Sequence, residues 1–134
     1  MKSAARYTAF VVVVGSILSI PALVNFVTNQ VLEARYPVPG SFLAVNGRLM
    51  HLYCTGHGSP TVILDAGGGG DWLIWQKVQP EASKTMRVCS FDRAGTGRSE
   101  SQSGVRYAIN IGQQLHLLLN TAGEKPPFVL VSPR

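Results

Sequence analysis

Between Tyr7 and Leu32 the sequence has no charged side chain. That absence sets the first third apart from ordinary globular sequence. The run "YTAFVVVVGSILSIPALVNFVTNQVL" is mostly apolar, and about 20 helical residues cross a hydrocarbon core roughly 30 Å thick. Lys2 and Arg6 precede it, which favours a cytoplasmic N-terminus. A cleaved secretory signal is the alternative, with Met1–Arg6 as its n-region, Tyr7–Ile20 as its h-region and a cut near Ala22, giving a secreted product. An A-x-A pattern is lacking, however, and Leu23–Val27 extends the apolar run past a usual h-region. The expectation is a signal-anchor helix over residues 1–32, a single pass contacting membrane lipid, with the remaining domain extracytoplasmic.

Basic runs are also lacking. The net charge is +5, yet Arg35, Arg48, Lys77, Lys84, Arg87, Arg93, Arg98, Arg106 and Lys125 are scattered among acids. Without basic residues interleaved with aromatics, nucleic-acid binding is not expected. No glycine pattern for a nucleotide is complete. In "DAGGGGDW", Gly67 and Gly69 fit G-x-G-x-x-G, but the third position is Trp72. In "FDRAGTGRS", a phosphate-binding loop would need glycine at Asp92 and lysine at Arg98. No cofactor is therefore assigned. The same stretch reads as a structural turn in which Asp92, Arg93, Gly95, Gly97 and Ser99 pin backbone. Only two cysteines occur, Cys54 and Cys89. His51-x-x-Cys54-x-x-His57 gives only three ligands, and residues three apart on a strand face opposite ways, so no metal is assigned.

What is present is one modest domain's worth of chain. Two prolines and a glycine in "EARYPVPG", residues 33–40, mark a stiff linker. "SFLAVNG" and "RLMHLYCTG" meet at Asn46-Gly47, a strong hairpin signal. "TVILD" is a continuous apolar run suited to a strand buried on both faces. A short helix in "WQKVQPEASKTM" follows, then a strand in "RVCSFD". "YAINIGQQLHLLLNTAG" carries Ile111, Leu115, Leu118 and Leu119 at helical spacing before Gly123. "FVLV", Phe128–Val131, closes as a strand. Hairpin, strand, helix, strand, helix, strand predicts an antiparallel hairpin followed by a parallel βαβαβ sheet over 41–134.

In order and spacing, "YPVPG", "VNGRLMHLYCTGHGSPTVILDAG", "VQP", "RVCSFDRAGTGRS" and "LHLLLNTAGEKPPFVLV" resemble the N-terminal half of the α/β-hydrolase fold, in a branch with a membrane-anchored N-terminus. The resemblance implies a serine hydrolase that, when complete, acts on a small ester, amide or similar acyl substrate. It places Gly67 and Gly68 at the oxyanion site. The strand over 128–131 should run into G-x-S-x-G, but Ser132, Pro133 and Arg134 stand there instead. Acid and base follow the nucleophile in this family, whereas His51, His57 and His116 all precede it, so each reads as structural. The resemblance therefore implies a truncated, inactive chain with no catalytic residue. It also sets the strand of Cys54 antiparallel beside that of Cys89, which leaves two outcomes open, a disulfide or two buried free thiols. The alternative is a membrane-tethered, non-enzymatic binding or vestigial domain. Half a sheet would leave an open strand edge suited to self-association.

Overall fold

The computed structural model describes residues 19–31, 35–101 and 107–133. Its chain divides into two compact units, residues 1–38 and 39–134.

In the first unit, residues 19–31 form helix α1, with exposed apolar side chains such as Leu23 and Phe26. At 1.5 Å per residue this stretch is about 20 Å long, short of a hydrocarbon core. Among the described residues no helix is long and apolar enough to cross a membrane. The membrane-spanning helix expected over 1–32 is corrected accordingly. Hydropathy counts apolar residues whatever their conformation, and the helical part described here is too short. Residues 1–18, which begin the charge-free run, lie outside the described residues.

The second unit is built on a hairpin. β1 (Ser41–Val45) and β2 (Arg48–Thr55) pair antiparallel. Asn46 and Gly47 join them at φ of 51° and 74°, the left-handed turn that matches the strands' own twist. β3 (Thr61–Asp65) follows, then a 3-10 turn (Trp72–Trp75) whose Leu73 N–H is capped by the Asp71 side chain at 3.0 Å. Helix α2 spans only Val78–Ala82, and Pro80 is tolerated there because first-turn N–H groups have no helical partner. β4 (Val88–Phe91), helix α3 (Ala108–Thr121) and β5 (Phe128–Val131) complete the chain.

The five strands form one mixed sheet in the order β1-β2-β4-β3-β5. β2 meets β4 antiparallel, while β4, β3 and β5 run parallel. β3 lies between β4 and β5, which explains its unbroken apolar run. α3 places Leu118 and Leu119 against Val45, Met50, Leu52, Ile63, Cys89 and Phe91. Full burial of one such side chain contributes about 1.5–3 kcal/mol. β5 is the rim, and Val129, Leu130 and Val131 are exposed there.

Candidate functional site at the carboxyl ends of the strands

β3 and β5 run parallel, with Leu64 opposite Val131, so their carboxyl ends open side by side. Beyond β3 the chain turns at Gly67, whose φ is +77°. The Gly67 N–H donates to Asp65 Oδ1 at 3.2 Å. A Cβ on Gly67 would lie 3.8 Å from Pro133 Cγ and 4.0 Å from Ser132 Oγ, which brings the exit of β5 against this turn. A Cβ on Gly68 would meet nothing within 4 Å. Among the described residues no acceptor takes the Gly68 N–H.

The turn after β3 is anchored by the turn after β4. Arg93 donates from Nε to Asp65 Oδ1 at 2.9 Å and from Nη2 to Asp65 Oδ2. A planar guanidinium gripping both carboxylate oxygens fixes orientation as well as charge. Within the second turn, Asp92 accepts from the Trp72 N–H at 2.7 Å and the Arg98 N–H at 3.0 Å. Ser99 Oγ donates to the Asp92 carbonyl at 2.7 Å and accepts from the His51 N–H at 2.9 Å. Gly95 donates to the Glu100 carbonyl. Gly97 sits at φ +51°, and a Cβ there would lie 2.5 Å from Asp92 Oδ2. Only glycine combines that φ with so close an approach.

The centre of this network is the pair His51 and Asp92, both fully buried. Leu52 pairs with Phe91 across the sheet, so the preceding His51 and following Asp92 meet just beyond that register. His51 Nδ1 lies 3.0 Å from Asp92 Oδ2, and Nε2 lies 2.7 Å from the Pro39 carbonyl. A proline carbonyl only accepts, and Asp92 already accepts two backbone N–H groups as a carboxylate. Both ring nitrogens therefore donate, and the ring is an imidazolium. Burial pulls the His51 pKa down and Arg98 opposes its charge, but the Asp92 and Pro39 bonds and the Asp92 charge outweigh them, leaving it above 6.5. Burial likewise pushes the Asp92 carboxyl up, yet His51 and the Arg98 and Trp72 N–H groups hold it below 3.8. Phe42 and Trp72 pack against the imidazole.

The remaining sequence candidates lie elsewhere. Cys54 and Cys89 are joined by a disulfide between β2 and β4. His57 lines a groove at the opposite, amino-terminal end of β3. His116 Nε2 lies 3.0 Å from Asn120 Nδ2 on the exposed face of α3. None of the three histidines is adjacent to Ser132 in the described contacts. The sequence reading left His51 as a plain strand residue; its signal was an aspartate one step past the paired strand. Gln79 was also missed. It is buried, and its amide donates to the Tyr53 carbonyl at 2.9 Å and Thr55 Oγ1 at 3.2 Å.

No family model matches the sequence. The probable transporter efuK of Hormonema carpetanum is 33% identical over 76 residues, covering 55% of this chain and 11% of that protein. An AB hydrolase superfamily protein of Gibberella zeae is 34% identical over 74 residues, covering 54% of this chain and 23% of that protein. The enol-lactonase of Burkholderia xenovorans LB400 superposes with a TM-score of 0.61 at 26% identity, over 69% of this chain and 37% of its own. The hydrolase names and the shared fold point to one family, the α/β hydrolases, and the mixed sheet fits about half of that fold. The chain spans between 11% and 31% of the length of the curated relatives it matches.

Proposed function

We propose that these residues form the N-terminal part of an α/β-fold serine hydrolase whose complete form cleaves a small ester, amide or similar acyl substrate through an acyl-enzyme. One observation carries the reading: the exit of β5 lies against the Gly67 turn. In such hydrolases the nucleophile rises from a sharp strand-to-helix turn, and the loop after the third strand lends a backbone N–H to the oxyanion. On this reading Gly67 shapes the cradle and the Gly68 N–H donates into it. One such donor is worth about 3 kcal/mol of transition-state stabilisation. The G-x-S-x-G turn that would carry the nucleophile and the second donor does not occur in the sequence. On this reading the described residues supply one side of the anion cradle.

The nucleotides beyond the Arg134 codon test this. In some frame they are expected to encode G-x-S-x-G, then an acid and a histidine. Their absence from the locus overturns the reading.

A second reading is non-enzymatic. The exposed side chains of Val129, Leu130 and Val131 on the rim strand favour association through that edge. Sedimentation of the full chain distinguishes the two. A dimer dispersed by a charged residue at Leu130 supports the second reading, and a monomer removes it.

A further inference from the structure

Away from the strands' carboxyl ends, Cys54 and Cys89 face each other across β2 and β4, with the Glu124 carboxylate beside them just past the end of α3. The ligand atoms of the three residues lie within 4.8 Å of one another. We propose that reduction of the disulfide opens a site for a divalent transition metal, Zn²⁺ being the best match, held by both sulfurs and Glu124. This is independent of the hydrolase reading.

Three observations carry it. First, the two cysteines are directly opposed in the ladder, with Cα atoms 4.0 Å apart, the narrow kind of antiparallel pair. Both side chains therefore leave the same face of the sheet; Cys89 belongs to the core cluster, against which Cys54 and Ala122 pack. Two thiolates on a tetrahedral zinc stand about 3.8 Å apart, given Zn–S bonds near 2.3 Å. Parting the two sulfurs to that distance requires side-chain rotation rather than movement of the strands.

Second, Glu124 is already oriented. Its side chain is 11% exposed. Arg87 grips it from Nε at 3.3 Å and from Nη2, and in turn donates from Nη1 to the Gly56 carbonyl at 3.0 Å. A carboxylate so held keeps lone pairs for a cation, and outer-shell partners of this kind are what orient metal ligands. The Arg87 charge also offsets one of the three negative charges that two thiolates and a carboxylate would bring together.

Third, Glu124 borders a groove. A groove of about 490 Å³ lined by His57, Thr61, Arg87, Glu124 and Lys125 opens on the Glu124 side. Two sulfurs and one oxygen leave a fourth tetrahedral position for water, the pattern of an open zinc site.

The chemistry balances with a dithiol as reductant. Its two thiols give two electrons and two protons to the Cys54–Cys89 bond and close into their own disulfide. Metal entry then displaces the two cysteine protons. In the oxidised protein neither sulfur is a thiolate, so the site exists only in the reduced state.

The test is cobalt substitution in the full chain after dithiol reduction and anaerobic removal of the reductant. Reduced protein is expected to show a thiolate-to-cobalt charge-transfer band that oxidised protein lacks. Glu124→Gln is expected to weaken cobalt binding at least about tenfold, the least that even outer-shell changes commonly cost. Absence of the band in reduced protein that keeps its circular dichroism overturns the proposal. So does a band that survives Cys54→Ser, or equal affinity in Glu124→Gln. If reduction alone melts the sheet, Zn²⁺ is expected to restore the spectrum, and failure to restore it overturns the proposal equally.

Discussion

His51 and Asp92 form a buried ion pair with no solvent access, joined at 3.0 Å through Nδ1. The other nitrogen holds the Pro39 carbonyl, so one protonated ring ties β2 to the turn after β4 and to the first residue of the sheet unit.

This pair gives stability a definite pH window. The His51 pKa is raised above 6.5, so its contribution is complete below 6.5 and is lost as pH climbs through the folded value. The Asp92 pKa is lowered below 3.8, so its contribution is complete above 3.8 and is lost as pH falls through the folded value. The Arg98 charge opposes the first effect only in part. The melting temperature of the full chain is expected to be highest between about pH 4 and 6.5 and to fall above neutrality. In His51→Gln the alkaline decline should disappear, and a decline that persists would assign it to another group.

Replacing Asp92 with alanine tests the same centre differently. It strands the His51 charge and removes the acceptor for the Trp72 and Arg98 N–H groups. Breaking a buried pair from one side costs about 3–5 kcal/mol. Urea denaturation should show a loss of that size, and a loss below about 1 kcal/mol would mean that water reaches the pair.

How much of this the sequence disclosed depends on how local the cause is. The Asn46-Gly47 hairpin and the continuous run of β3 are local patterns, and each element lies where the pattern placed it. The spacing of Leu115, Leu118 and Leu119 likewise marks the inner face of α3. The helix expected in "WQKVQPEASKTM" proved shorter, with a separate 3-10 turn before it that starts at Trp72, where the Asp71 side chain caps the Leu73 N–H. The charge-free N-terminal run predicts a membrane-spanning helix, whereas among the described residues no helix is long and apolar enough to cross a membrane. His51 with Asp92, and Glu124 beside the cysteines, depend on register between distant segments, which a single sequence does not display.

Gly97→Ala probes the turn that holds the pair. The added methyl would sit 2.5 Å from an Asp92 oxygen at a φ of +51°. Strain of this kind costs about 1–3 kcal/mol before any clash is counted. Denaturant titration should show a loss of at least that size, whereas Gly112→Ala, in open space within α3, should be neutral or stabilising.

A fluorophosphonate probe addresses the missing nucleophile. Among the described residues Ser132 Oγ has only its neighbouring Pro133 carbonyl within reach, at 3.4 Å, and no histidine as base. The full chain should remain unlabelled by intact-mass measurement. A stoichiometric adduct lost in Ser132→Ala would assign the nucleophile to this chain after all.

The strand order has a consequence for how the protein comes into being. Ile63 in β3 is flanked by Cys89 on one side and Leu130 on the other, both synthesised after it. β3 therefore waits for both of its neighbours, and among the described strands only the β1–β2 hairpin can close early from contiguous chain. Any cut that removes the last few residues leaves β3 bare on one flank and makes it the rim of the sheet.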